Sequence, residues 1–237
     1  MLLTEPLRRD GYDLAIPELP SVGRAADIGK VHLADDVNCL RLTMQPYLEA
    51  GREIIVVVHS YGGLPVTDAV VGCTVQDRKE NGQKGGVRAI VAITAFLPPQ
   101  RAMSLLACIG ATRDDPSKFP DWWEVKDEEG IVKHNSLGKA AQHLPNDDTM
   151  ATMAANSVSW QSFTAFCDPV THAGSDIKAE KTYIVCELDG SIPVFGQVAF
   201  AEACGARMVR VNAGHAPFLD VKHTEVILNV IRGYAEL

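Results

Sequence analysis

The segment Ile54–Pro65, IIVVVHSYGGLP, sets a serine between a continuous β-branched run and a pair of glycines. A strand that turns straight into a helix at such a point forces its turn residue into a strained backbone conformation. It lifts the Ser60 hydroxyl clear of the sheet end and points the new helix's N–H groups toward negative charge growing there. That is a geometry for nucleophilic attack on a carbonyl. A serine hydroxyl is a weak nucleophile alone, so a base and a carboxylate that orients the base must follow. The apolar run Thr182–Leu188 leads into Asp189-Gly190-Ser191-Ile192-Pro193, and Arg207–Asn212 leads into Ala213-Gly214-His215-Ala216-Pro217-Phe218. Ser60, Asp189 and His215 are the expected catalytic nucleophile, acid and base, each at the carboxyl end of a strand. Glu187 and Asp168 stand as alternative acids. His59 is an alternative base, but neighbouring strand residues face opposite ways, which makes it a structural residue of the turn.

The elements around these residues alternate between strand and helix. Asp13–Leu19 is a short apolar run after a helix that Gly11 stops. Leu33, Val37, Leu40, Met44 and Leu48 form the stripe of an amphipathic helix that Pro46 should kink or shorten and Gly51 should end. Ile54–His59 reads as a central parallel strand covered on both faces. A helix is expected from Gly62 to about Asp77 and a polar surface loop over Gln76–Gly86. Val87–Thr94, Thr182–Leu188 and Arg207–Asn212 are further strands, and a last helix carries Val226, Ile227, Val230, Ile231 and Tyr234. The fold class is α/β, an open, mostly parallel sheet with flanking helices. Residues 1–97 and 182–237 form its core, and 98–181 are too long for one crossover. That insertion holds all three tryptophans; Trp122–Lys126 and Ile131–His134 predict a small hairpin around Asp127–Gly130, and Pro145–Ser159 a helix. An aromatic insertion at the active end of a sheet reads as a lid over a hydrophobic pocket, with Trp122, Trp123 and Phe166 as substrate-binding residues. The alternative is a second layer whose aromatics pack only on each other.

On ELPSVG (Glu18–Gly23), HSYGG, CELDGSIP and AGHAPF, the chain resembles an α/β-hydrolase fold protein over nearly its whole length. It is similar to small lidded esterase-like members that grade into the hydroxynitrile lyase and methylesterase type. The resemblance implies Ser60 as nucleophile, His215 as general base, Asp189 as the acid that stabilises the imidazolium, and the Tyr61 backbone N–H as an oxyanion donor. It implies no cofactor and no metal. Two departures stand out. Val58 occupies the first glycine of the motif written G-x-S-x-G. The chain also opens inside what resembles the family's first helix, without the preceding strand and the glycine-containing loop that gives the second oxyanion donor. The expectation is a late start in the gene model, closure of Asp13–Leu19 onto Ile54–His59, or another segment between them. An oxyanion donor fewer slows such chemistry by ~100–1,000-fold.

Lys plus Arg number 22 and Asp plus Glu 30, giving a net charge of −8, while 46% of residues are hydrophobic. An acidic surface repels phosphate backbones, so no nucleic-acid partner is expected. No apolar run reaches the ~18–20 residues of a bilayer span, and the first ten residues lack a signal-peptide core, which together predict a cytoplasmic protein with no membrane contact. Six scattered cysteines fit a reducing compartment. The expected partner is a hydrophobic small molecule, and the expected reaction is hydrolysis of its ester, lactone or thioester bond through an acyl-enzyme. The alternatives are a lyase or isomerase on the same groups, which would need a lid lysine such as Lys118, Lys126, Lys133 or Lys139 near Ser60, and a binding protein with weak turnover.

Overall fold

The computed structural model describes residues 2–23, 28–134 and 159–235. The chain opens with α1 (Thr4–Arg9), a two-residue strand β1 (Val22–Gly23) and the long helix α2 (Leu33–Glu49), which continues through Pro46 rather than stopping before it. Strand β2 (Glu53–His59) runs into a 3₁₀ turn (Ser60–Gly62) and α3 (Gly63–Val70), then α4 (Val75–Glu80) and β3 (Gly86–Ile93). After α5 (Leu105–Cys108) come β4 (Trp123–Lys126), β5 (Ile131–His134), β6 (Trp160–Ser162) and α6 (Phe163–Cys167). The chain closes with β7 (Glu180–Cys186), α7 (Val194–Ala203), β8 (Arg207–Val211) and α8 (Val221–Ala235).

The main sheet has the order β2-β3-β7-β8, with every pair parallel. Parallel strands need crossovers, and these place helices on both faces. On one face Leu7 of α1 and Ile227, Leu228, Ile231 and Tyr234 of α8 cover Ala89, Val91, Ile93 and Ile184. On the other, α2, α3 and α7 bury Leu33, Val37, Leu64 and Phe200 against Ile90, Ala92, Tyr183 and Val185. This accounts for the apolar runs 89–93 of β3 and 183–186 of β7.

The same reasoning misplaces β2. It was expected in the centre of the sheet; it is an edge strand, and among the described residues no strand pairs with its outer side. Val57 is 40% exposed there. Asp13–Leu19 carries no regular secondary structure and enters no sheet among the described residues. It is held by the Asp13–Arg52 ion pair at 2.7 Å, by Leu14 against one apolar cluster and by Leu19 against the other. Facial burial selects apolar β-branched residues whether or not the strand has two lateral neighbours, so IIVVV does not report the missing one.

The helix expected over Gly62–Asp77 is interrupted, and part of the loop expected over Gln76–Gly86 is helical. Val71 turns extended and Gly72 takes φ +84°, after which α4 starts afresh. Thr74 Oγ1 accepts from the Asp77 N–H at 3.1 Å while the Asp77 carboxylate accepts from the Thr74 N–H at 3.3 Å. This reciprocal cap restarts a helix in a polar stretch.

A second, antiparallel sheet has the order β1-β6-β5-β4. The hairpin expected between Trp122 and His134 forms as β4 and β5, with Gly130 in the left-handed region at its turn. Ser162 Oγ donates to the Val31 carbonyl at 2.6 Å and Thr164 Oγ1 to that of Gly29 at 2.9 Å, tying this sheet to the entry of α2. The helix expected over Pro145–Ser159 lies, all but Ser159, outside the described residues. No described helix is long and apolar enough to cross a membrane.

Candidate active site

Ser60 stands where β2 gives way to helix and has φ +51°. The turn closes only because two glycines follow. A Cβ on Gly63 would sit 2.2 Å from the Phe96 carbonyl oxygen, and one on Gly62 would sit 3.1 Å from Val58 Cγ2. Gly62 therefore makes room for the valine that replaces the motif's first glycine. The Phe96 N–H donates to the Ser60 carbonyl at 3.0 Å, locking the elbow to the segment after β3.

His215 lies buried in the loop after β8, its Nε2 2.9 Å from Ser60 Oγ and its Nδ1 2.8 Å from Asp189 Oδ2. A carboxylate only accepts, so Nδ1 carries the proton and Nε2 is left free to accept from the serine hydroxyl. Asp189 lies beyond β7 and is also buried. Its Oδ1 accepts from the Ser191 and Ile192 N–H groups at 2.7 and 3.1 Å, and its Oδ2 from the Thr94 hydroxyl and, at 3.4 Å, from Gln197 Nε2. Burial disfavours the charge, but the bonds to His215, Thr94 and the backbone outweigh it, and the carboxyl lies below its ordinary range. Fully buried Gln197 also bridges the Cys186 backbone and the Ile192 carbonyl, binding the acid loop to α7.

The alternatives from the sequence point elsewhere. Glu187 pairs with Arg210 at 2.7 Å, and Asp168 accepts from His32 Nδ1 and the Leu33 N–H at the start of α2. His59 donates from Nε2 to the His215 carbonyl at 2.7 Å and packs on the His215 ring, with centroids 4.6 Å apart. Burial, with the neighbouring His215 charge, drives its pKa down to about 3, so it is a neutral anchor rather than a base.

Tyr61, whose backbone N–H the family resemblance names as a donor, is buried. Its hydroxyl donates to Asp36 Oδ2 at 2.6 Å, and Asp36 Oδ1 accepts from the Ser21 N–H at 2.9 Å. Burial pushes the Asp36 carboxyl above its ordinary range despite these bonds. The Tyr61 ring meets Phe166 at 5.0 Å, Phe166 meets Trp123 at 5.5 Å, and Trp123 meets Trp122 at 5.8 Å. The predicted aromatics thus form one chain of contacts leading from the elbow to β4. Phe166 is buried within it, and Trp122 and Trp123 are half-buried. Beyond them His134 packs edge-on to Trp122 at 4.7 Å, and burial plus the charge of nearby His215 lowers its pKa to about 4.

Thr94, Gln197, Asp36 and His134 were not singled out from the sequence. Thr94 and Gln197 are isolated polar residues in apolar stretches, a pattern that marks a buried hydrogen bond without naming its partner, whereas Asp36 and His134 have polar neighbours and carry no such signal. Among the described residues no cluster of His, Cys, Asp or Glu could hold a metal ion.

A sequence profile described as the alpha/beta hydrolase family matches residues 2–227. The chain belongs to the alpha/beta hydrolase family. This hydrolase is 26% identical over 229 residues to the probable hydrolase R7 of Phoma sp. (strain ATCC 20986 / MF5453), covering 89% of this chain and 82% of that protein. Its fold is similar to the methylesterase MES16 from Arabidopsis, with a TM-score of 0.70 and 17% identity over 100% of this chain and 92% of the other. It is also similar to a pyrethroid hydrolase from Sphingobium faniae JZ-2, with a TM-score of 0.67 and 16% identity over 100% and 92% of the two chains. The protein is an α/β-hydrolase enzyme, and its parallel sheet with helices on both faces is that of the family.

Proposed function

We propose that this hydrolase cleaves an ester, lactone or thioester of a hydrophobic small molecule through Ser60, His215 and Asp189. The observation that carries the reading is the continuous hydrogen-bond chain from the Ser60 hydroxyl through both His215 nitrogens to the buried Asp189 carboxylate. Ser60 Oγ attacks the substrate carbonyl as His215 Nε2 takes its proton, and Asp189 stabilises the imidazolium. The Tyr61 N–H, at the start of the elbow helix, faces the oxyanion. His215 then protonates the leaving alkoxide or thiolate, and water, deprotonated by the same imidazole, clears the acyl group. The apolar substrate is argued from the place of this aromatic chain, which begins at Tyr61 next to Ser60, and the described parts of the insertion, 98–134 and 159–181, would form the lid. That three relatives are titled hydrolase, methylesterase or pyrethroid hydrolase agrees with carboxylic ester chemistry.

The test is a fluorophosphonate probe with mass-spectrometric mapping. Label on Ser60, lost in Ser60→Ala, is the expected result, and an unlabelled wild-type chain would overturn the reading. Two of the four lid lysines named for a lyase, Lys126 and Lys133, lie over the Trp160 ring at 4.9 and 4.5 Å. Turnover in oxygen-18 water distinguishes lyase from hydrolase, since hydrolysis places the heavy isotope in the product acid. One observation favours a binding protein of slow turnover: among the described residues no strand covers the outer side of β2, which leads into the elbow. That reading expects ligand-dependent melting shifts without product.

A further inference from the structure

Thr94 follows the last residue of β3 and is fully buried, with φ +36°. A β-branched residue in the left-handed region is an outlier whose strain glycine or asparagine would largely avoid. The surrounding backbone has other anchors. The Phe96 N–H donates to the Ser60 carbonyl, and the Tyr183 hydroxyl donates to the Ala95 carbonyl at 2.7 Å. What the strained conformation delivers is the Thr94 hydroxyl, donated to Asp189 Oδ2, the same oxygen that accepts the His215 Nδ1 proton. The remaining donor to that oxygen, Gln197 Nε2, stands off at 3.4 Å.

We propose that Thr94 is a positioning residue for the Asp189–His215 pair, its hydroxyl fixing the carboxylate rotamer and moderating the pull of Oδ2 on the imidazole proton. Oδ2 held by one strong donor instead of two is a stronger acceptor, so loss of the hydroxyl favours the imidazolium and disables the base over a wider range of acidity. The inference rests on the hydrolase reading of Ser60. Four other ionisable groups sense this pair: His59, His134, Tyr183 and Cys186. The two histidines stay neutral until pH falls to about 3 and about 4, and burial raises the tyrosine and the thiol, so none of them titrates near neutrality.

The test compares Thr94→Ser with Thr94→Ala in the full chain, since both lose the methyl group and the β-branch and differ only in the hydroxyl. Two readouts apply: the rate of fluorophosphonate labelling of Ser60 from pH 5 to 9, and the downfield proton resonance of His215 Nδ1–H. Thr94→Ser is expected to label within about twofold of wild type. Thr94→Ala is expected to label ~10-fold more slowly, with its acid limb at higher pH and a displaced resonance. If Thr94→Ala does not fold, Thr94→Val removes the hydroxyl at equal volume and serves the same comparison against wild type. Coincident profiles and resonances with and without the hydroxyl, whatever the change in melting temperature, would overturn the proposal. Absence of label on wild-type Ser60 would overturn the nucleophile reading instead, and the resonance would still decide the role of Thr94.

Discussion

Buried polar residues brace the elbow and the His215 loop, and their protonation couples folding to pH in opposite senses. Asp36 has a raised pKa in the fold, so its charged form costs stability at neutral pH and that cost disappears as pH falls through the raised value. Asp36→Asn removes the titration. The melting temperature of wild type relative to this variant is therefore expected to rise as pH is lowered from 7 toward 4. Asp36→Ala leaves the Ser21 N–H and the Tyr61 hydroxyl without their acceptor, for an expected loss of roughly 2–4 kcal/mol by denaturant titration. His59 behaves oppositely. Its lowered pKa means that the native state resists a proton the unfolded chain accepts, so stability is lost as pH falls below 6.5 and on toward about 3. His59→Phe should lose less melting temperature between pH 7 and 5 than wild type does. It should also label at Ser60 ~10-fold more slowly, because the His215 carbonyl loses its anchor.

Among the elements, the elbow has the least tolerance. Gly63→Ala would drive a methyl into the Phe96 carbonyl and is expected to leave little folded protein, judged by expression and circular dichroism. Gly62→Ala meets only the tip of Val58, so it should be milder and should be relieved by a second change, Val58→Ala. A double-mutant cycle on melting temperature reads that coupling, and strictly additive effects would contradict the contact. The elbow was legible in the sequence because its chemistry is local: strand, strained serine and two glycines lie within ten residues. The proximity of Asp189 and His215 to Ser60 was legible for a related reason, each lying in the loop that follows a strand. Thr94 and Gln197 were not, because their roles depend on Asp189, 95 and 8 residues away along the chain. Helix α4 was lost to its polar composition, although Thr74 and Asp77 carried the spacing of a capping pair.

Across the whole molecule the alternation of strands and helices was readable, and the sheet order was not. Val56 and Val57 have the same chemistry as Ile90 and Val91, yet among the described residues β2 has a strand on one side while β3 lies between two strands. Hydrophobic patterning reports which faces are covered; it carries no information on how many strands lie alongside. Among the described residues no strand covers the outer side of β2, and an uncovered edge would accept any extended chain, a liability that other proteins blunt with charge. Val57→Lys is expected to reduce concentration-dependent association in light scattering while Ser60 labelling persists, since Val57 lies at the exposed margin.

Because Ser60 ends a strand that, among the described residues, is secured to its sheet by one neighbour alone, labelling at Ser60 and the bulk of the fold need not fail together. Amide protons of Glu53–His59 are expected to exchange with deuterium sooner than those of Glu180–Cys186, which are hemmed in on both flanks. On slow heating the chain would then fall silent toward the probe several degrees before its secondary structure is lost.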